Sequence, residues 1–223
     1  MNRLALLLAL LLTWPVWAQD YAREQRWASE ILPAVLVGEP VYLKAASGRD
    51  FLGLFSEVKG ARVALVLVHG VGVHPDHSVI GALRTRMFDL GYTTLSIQMP
   101  VAAREASVDD YFPQLFGDAA DRMARAGDWL KARGYSRIVL VSHSMGAWMA
   151  NEYLDRSHAS TPYKAWVVMG LTRGLLLDDA PVCVPGARFV WRKRPGAGAQ
   201  GGGSAPLGAQ CGQWFAPGTD TRG

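Results

Sequence analysis

The sequence predicts an α/β protein, a three-layer sandwich with a mostly parallel, doubly wound sheet. Three observations lead there. Val63–Val68 is an unbroken apolar run, and Thr93–Ile97, Arg137–Val141 and Ala165–Met169 are strand-like runs of similar length. Continuous apolarity, rather than alternation, marks a strand covered on both faces. Stretches with apolar residues at helical spacing lie between these runs. Strand and helix therefore alternate, which yields parallel strands with helices packed on both sides.

The elements follow in order. Met1–Asp20 reads MNRLALLLALLLTWPVWAQD, with Arg3 as a positive start, Leu4–Leu12 as an apolar run and Val16-Trp17-Ala18 as a small-x-small pattern. This is the layout of a secretory signal peptide cut after Ala18. Residues 1–18 are expected to be a leader, and the mature protein to be periplasmic or secreted. The apolar run is shorter than the ~20 residues a spanning helix needs, and Pro15 interrupts it. No stable membrane anchor is expected.

Residues 19–182 then form the folded domain. Ala34–Val37, Val41–Lys44 and Phe51–Phe55 read as short strands separated by Gly38-Glu39-Pro40 and Ser47-Gly48-Arg49. After Val63–Val68, the stretch Ser78–Leu90 carries Val79, Leu83, Met87 and Leu90 at helical spacing and stops at Gly91, a C-cap signal. Asp118–Arg133 is a second helix, with Ala119, Met123, Ala126 and Leu130 on one face, and Ser144–Leu154 a third.

Charge excludes one class of partner. The formal net charge is +4 and the pI about 9.2. From Ala180 onwards there are five basic residues, Arg188, Arg192, Lys193, Arg194 and Arg222, against one acid, Asp220. That segment holds the whole excess, the body is balanced, and no nucleic-acid partner is implied. Half the residues are hydrophobic and mean hydropathy is +0.08, which fits neither intrinsic disorder nor a polytopic membrane protein. Cys183 and Cys211, the two cysteines, could pair in an oxidising compartment.

In doubly wound sheets the chemistry sits at the carboxyl ends of the strands. Arg137–Val141 is followed by Ser142-His143-Ser144-Met145-Gly146. A serine between strand and helix, with small residues two positions to either side, permits a sharp turn that lifts its hydroxyl above the sheet. This is the nucleophile-elbow pattern G-x-S-x-G with Ser142 in place of the first glycine. Ser144 is the candidate nucleophile. The Met145 N–H, at a helix N-terminus, is a candidate oxyanion donor. His69-Gly70-Val71-Gly72 follows the earlier buried strand, where such a loop can supply a second N–H. Val71 is the candidate donor there, with His69, Gly70 and Gly146 as supporting residues.

On these motifs the stretch Arg62–Leu154 resembles the α/β-hydrolase superfamily. LVLVHGVGVHPD (65–76), TLSIQMPV (94–101) and VLVSHSMGAWMA (139–150) are similar to a family of exported bacterial α/β-hydrolase-fold proteins of unknown function. The resemblance runs from Asp50 to about Leu177. It implies an α/β-hydrolase-like sandwich and a hydrolase-type site, and no particular substrate.

Acyl transfer by a serine needs a base and a carboxylate to orient it, in the chain order serine, acid, histidine. Of the histidines at 69, 74, 77, 143 and 158, only His158 follows Ser144. It is the candidate base, although its place at a helix end suits a solvated residue favoured by the helix dipole equally well. An acid would be expected after a strand as G-x-x-D. Gly186-Ala187-Arg188 fits the start of that pattern, but Phe189 stands in the acid's place. Asp178 and Asp179 read as loop carboxylates, and the acid is unassigned.

Residues 183–223 form a low-complexity tail rich in Gly, Ala, Pro and Arg, expected to be disordered. Gly196–Gly203 reads GAGAQGGG, a composition that a GC-rich gene yields out of frame. The last strands of the sheet are therefore expected to be missing or degenerate, and the C-terminal part truncated or frameshifted. His74-Pro75-Asp76-His77 has H-x-x-H spacing, but a zinc site needs further ligands. Asp76 reads more simply as N-cap chemistry ahead of Ser78, so no metal and no cofactor is expected. The function expected is an exported serine hydrolase acting through Ser144 on ester or related acyl bonds of a small-molecule or acyl substrate, impaired for want of an identifiable base and acid. The alternative is a non-catalytic periplasmic binding or interaction protein that keeps the fold.

Overall fold

The structure, a computed structural model, describes residues 19–104, 106–111, 114–157, 160–170 and, for the backbone, 188–191. Residues 1–18, His158, Asp178, Asp179, both cysteines and the rest of the 183–223 segment lie outside the described residues.

Helix α1 (Tyr21–Ile31) runs into a 3-10 turn at Leu32–Ala34. Strands β1 (Glu39–Lys44), β2 (Asp50–Ser56) and β3 (Ala64–Val68) follow, then helix α2 (Ser78–Asp89) and β4 (Thr93–Ile97). After a short 3-10 turn at Asp109–Tyr111 come α3 (Phe116–Ala132), β5 (Ile138–His143), α4 (Met145–Ser157), β6 (Tyr163–Met169) and β7 (Arg188–Trp191). They build one sheet in the order β1-β2-β4-β3-β5-β6-β7. β1 and β2 are antiparallel to each other, and β2 to β4; all later pairs are parallel.

Successive side chains of a strand face opposite ways, and here each face meets its own helix layer. Leu65 and Leu67 of β3 pack with Val141 against Ile80, Leu83 and Met87 of α2. Val66 and Val68 face the other side, into the core made with Leu95, Ile97, Leu140, Ala119 and Met123 of α3, and Ala147 and Met149 of α4. All five residues of β3 and of β4 are buried. The helices on the second face also seat Tyr111, Leu115 and Phe116 in the core, with Trp148 packed against it.

One expectation is corrected. Ala34–Val37 is not a strand: Pro33, in the first turn of the 3-10 segment, continues the helical chain direction out of α1, and the first strand begins at Glu39 instead. That strand tolerates Pro40 because it is the sheet edge, where a missing N–H can face solvent. α1 was not read from the sequence: Tyr21, Trp27, Ala28 and Ile31 recur at helical spacing, but its one buried residue, Glu24, is charged and stands among them. Beyond β6, the backbone of Arg188–Trp191 pairs parallel with it in the register Trp166↔Phe189.

Candidate active site

The strand register brings the chemistry to one level. Val68, the last residue of β3, lies opposite Ile97 on one side and Ser142 on the other, and His143 lies opposite Met169. The loops after β3, β4, β5 and β6 therefore leave the sheet together.

Ser144 sits between β5 and α4 with φ +54. A non-glycine residue in the left-handed region is strained by roughly 1–2 kcal/mol, and the surroundings hold it there. Its N–H donates to Met169 O at 2.9 Å, and its carbonyl accepts from the Ala147 N–H at 2.8 Å. Gly146 must be glycine: a Cβ there would lie 2.3 Å from His69 O and 2.7 Å from Val68 Cγ1. Gly70 brings the opposite loop so close that a Cβ on it would stand 3.3 Å from Ser144 Cβ. Ser142, in the position usually held by glycine, is fully buried, and its Oγ accepts the indole N–H of Trp166 at 2.7 Å. The His143 ring lies between Gly70 and Gly170.

The loop after β3 is organised by His69, which is 1% exposed. Its Nε2 accepts the Met99 N–H at 2.9 Å, with the Gln98 amide nitrogen at 3.2 Å. Two donors converging on Nε2 require that nitrogen to be unprotonated. Nδ1 then carries the proton and donates to Gly70 O at 2.8 Å. Burial, first of all, lowers the His69 pKa to about 3, so the ring is neutral at any working pH. The consequence for Val71 is geometric. Gly70 C=O and Val71 N–H belong to one planar peptide, so holding the carbonyl aims the N–H. The Met145 N–H is aimed in the same way, because its peptide partner is the Ser144 carbonyl held by Ala147.

A buried polar cluster braces both loops from below. Arg122, 1% exposed, donates to Glu24 Oε2 at 2.9 Å, to Gln98 O at 2.8 Å and to Asp118 Oδ2 at 3.1 Å. Burial pushes the Glu24 carboxyl up, and the Arg122 guanidinium opposes it. Gln98 also donates to Val73 O and Met99 O.

Ser144, Met145, Gly146, His69, Gly70 and Val71 lie together at one end of the sheet, while His158 lies outside the described residues. Arg23, Gln98, Arg122 and Trp166 were not singled out from the sequence. The Asp20 N-cap, whose side chain accepts the Arg23 N–H at 2.8 Å, is the signal that could have announced α1. The expected N-cap role of Asp76 is corrected: His77 occupies that position, and Asp76 Oδ1 instead accepts from the buried Arg84 at 2.7 and 3.1 Å. His74 and His77 meet edge to face at 5.4 Å. Among the described residues no group of three or more His, Cys, Asp or Glu side chains could hold a metal ion. Nor is any helix among them long and apolar enough to cross a membrane. A cavity of about 430 Å³ opens between α1 and the β1–β2 hairpin, lined by Tyr21, Glu24, Arg49, Phe51 and Gln98; neither the elbow nor Val71 lines it.

No family model and no curated protein matches the chain. Solved structures do. A cold-adapted esterase from an Arctic intertidal metagenomic library aligns at 21% identity over 67% of this chain and 69% of its own, with a TM-score of 0.50. A lidless serine hydrolase of Xanthomonas campestris aligns at 15% identity over 60% of this chain and 61% of its own, TM-score 0.45. An esterase of Pyrococcus furiosus aligns at 15% identity over 58% of this chain, TM-score 0.44. The alignment spans about half the length of that esterase, 49%. At 21% identity the likeness to the cold-adapted esterase shows the fold alone, which is that of the α/β-hydrolases.

Proposed function

We propose that the protein is an exported serine hydrolase acting on ester or related acyl bonds, with Ser144 as nucleophile. One observation carries this reading. Ser144 is held at φ +54 against the closely apposed Gly70 backbone, with a pinned peptide on either side of it. Ser144 Oγ would add to an acyl carbonyl while the Val71 and Met145 N–H groups bind the charge that develops on the carbonyl oxygen. Donors fixed before the reaction stabilise that charge without reorganisation, and one such donor is worth roughly 10²–10³ in rate. The hydroxyl proton must pass to a base, the role for which His158 is the candidate. His69 cannot take it, being buried, neutral and engaged at both nitrogens.

A second reading, a non-catalytic binding or interaction protein that keeps the fold, is favoured by Phe189 standing where the sequence pattern would place the acid. The experiment is labelling of the secreted protein with a fluorophosphonate probe beside Ser144→Ala, read by intact mass. Labelling of a chain starting at Gln19, absent in the variant, is the expected result. Folded protein that takes no label overturns the hydrolase reading in favour of the binder, and a labelled chain retaining Met1 overturns export.

A further inference from the structure

The Val71 loop is held from outside the sheet as well as from within it. Arg23, in the first turn of α1, donates from Nη1 to Ala102 O at 3.1 Å and from Nη2 to Gly72 O at 3.3 Å. Those carbonyls belong to different loops, one following β4 and the other β3, so a single guanidinium ties them together. A planar fork presents two such donors at fixed separation, which the ammonium of a lysine does not. Gly72, next to Val71, has φ +63. Glycine populates positive and negative φ about equally, so this residue has no preference of its own and neighbours must set it. Two neighbours stand there: a Cβ on Gly72 would lie 3.6 Å from the Tyr111 hydroxyl and 3.7 Å from Arg23 Nη2.

Arg23 is itself fixed. Its guanidinium lies 4.6 Å over the Trp27 ring, and its N–H is capped by Asp20. The Asp20 N–H in turn donates to Val101 O at 2.7 Å. The adjacent Glu24 is locked to Arg122. α1 is thus docked across the carboxyl ends of β3 and β4 through these polar contacts, its one buried residue being Glu24.

We propose that Arg23 is a positioning residue for the oxyanion site: by holding the Gly72 carbonyl beside the Ala102 carbonyl, it keeps the Val71–Gly72 segment in the conformation that presents the Val71 N–H across from Ser144. The kinetic consequence rests on the serine-hydrolase reading; the structural consequence does not.

Two measurements test it, on full-length wild type, Arg23→Ala and Arg23→Lys. The first is hydrogen exchange. In Arg23→Ala the loop peptide covering 69–74 should exchange faster, while peptides from β3 and β5 stay as protected as in wild type. Unchanged loop exchange overturns the proposal, and so does a rise shared equally with β3 and β5, which would make Arg23 a general stabiliser. The second is the rate of phosphonylation at Ser144. Arg23→Ala should lower the maximal rate about tenfold or more, since an oxyanion donor displaced by ~1 Å can lose up to 10²-fold, without raising the half-saturating probe concentration. Added guanidinium should restore part of that rate in Arg23→Ala, and Arg23→Lys should fall between the two. A full rate in Arg23→Ala overturns the proposal. Should wild type itself take no label, the serine-hydrolase reading fails and loop exchange alone decides the role of Arg23.

Discussion

The Met145 N–H is aimed by its own helix: the Ser144 carbonyl in the same peptide accepts from Ala147 three residues along. The Val71 N–H is aimed by distant groups, the His69 ring fixed by Met99 and the Gly72 carbonyl held by Arg23. One side of the candidate site is therefore set by local backbone geometry and the other by tertiary contacts from α1 and the loop after β4. The first survives as long as α4 forms, whereas the second depends on everything that docks against it.

The largest effect should come where the two sides touch. Gly146 belongs to the local side, but the space a side chain would fill is taken by His69 O and Val68 Cγ1 of the other. Backbone cannot yield as a flexible side chain does, so Gly146→Val should destabilise the fold by about 3 kcal/mol or more, read as a shift in the urea midpoint. A variant of wild-type stability would show that the two loops are further apart than described.

This asymmetry also governs what could be read in advance. β3 showed as an apolar run because it is buried on both faces, β4 and β6 showed as strand-like runs between helical stretches, and the elbow showed because its chemistry is compressed into five consecutive residues, Ser142–Gly146. Helix α1 did not show. Its docking rests on Glu24, Arg23 and Asp20, polar residues whose partners lie as far as 98 positions away. The role of Gln98 and Arg122 in bracing the loops was hidden for the same reason: long-range hydrogen bonds leave no spacing in a sequence. Arg188–Trp191 was obscured differently, by the glycine-rich composition around it.

A second, smaller effect separates the two sides by pH. Burial holds His69 at about 3 against an ordinary 6.5. The unfolded chain therefore takes up the proton first, so stability from the neutral ring is complete above pH 6.5 and is lost as pH falls toward 3. His69→Gln offers hydrogen-bonding groups but no titration. It should be less stable than wild type at neutral pH by about 1–3 kcal/mol, and lose less stability on acidification. Its phosphonylation should slow by roughly 10²-fold if the Val71 donor is misaimed, while the Met145 side remains intact. An acid slope equal to wild type would remove His69 as its source.

The smallest effect probes how local the elbow is. Ser142 replaces the glycine usual at that position, and its buried hydroxyl is matched by the Trp166 indole N–H on β6 at 2.7 Å. A serine there is therefore tolerable only as one member of a pair. Trp166→Phe strands the Ser142 hydroxyl and should lose about 1–3 kcal/mol, part of it from the smaller ring. Ser142→Gly removes the hydroxyl acceptor from the indole N–H instead. The double variant removes both groups, so its loss should be smaller than the sum of the singles by about 1 kcal/mol. Strict additivity in the urea midpoints would mean that the pair is not coupled. Coupling would mean that even the side of the site set by its own backbone takes part of its geometry from a neighbouring strand.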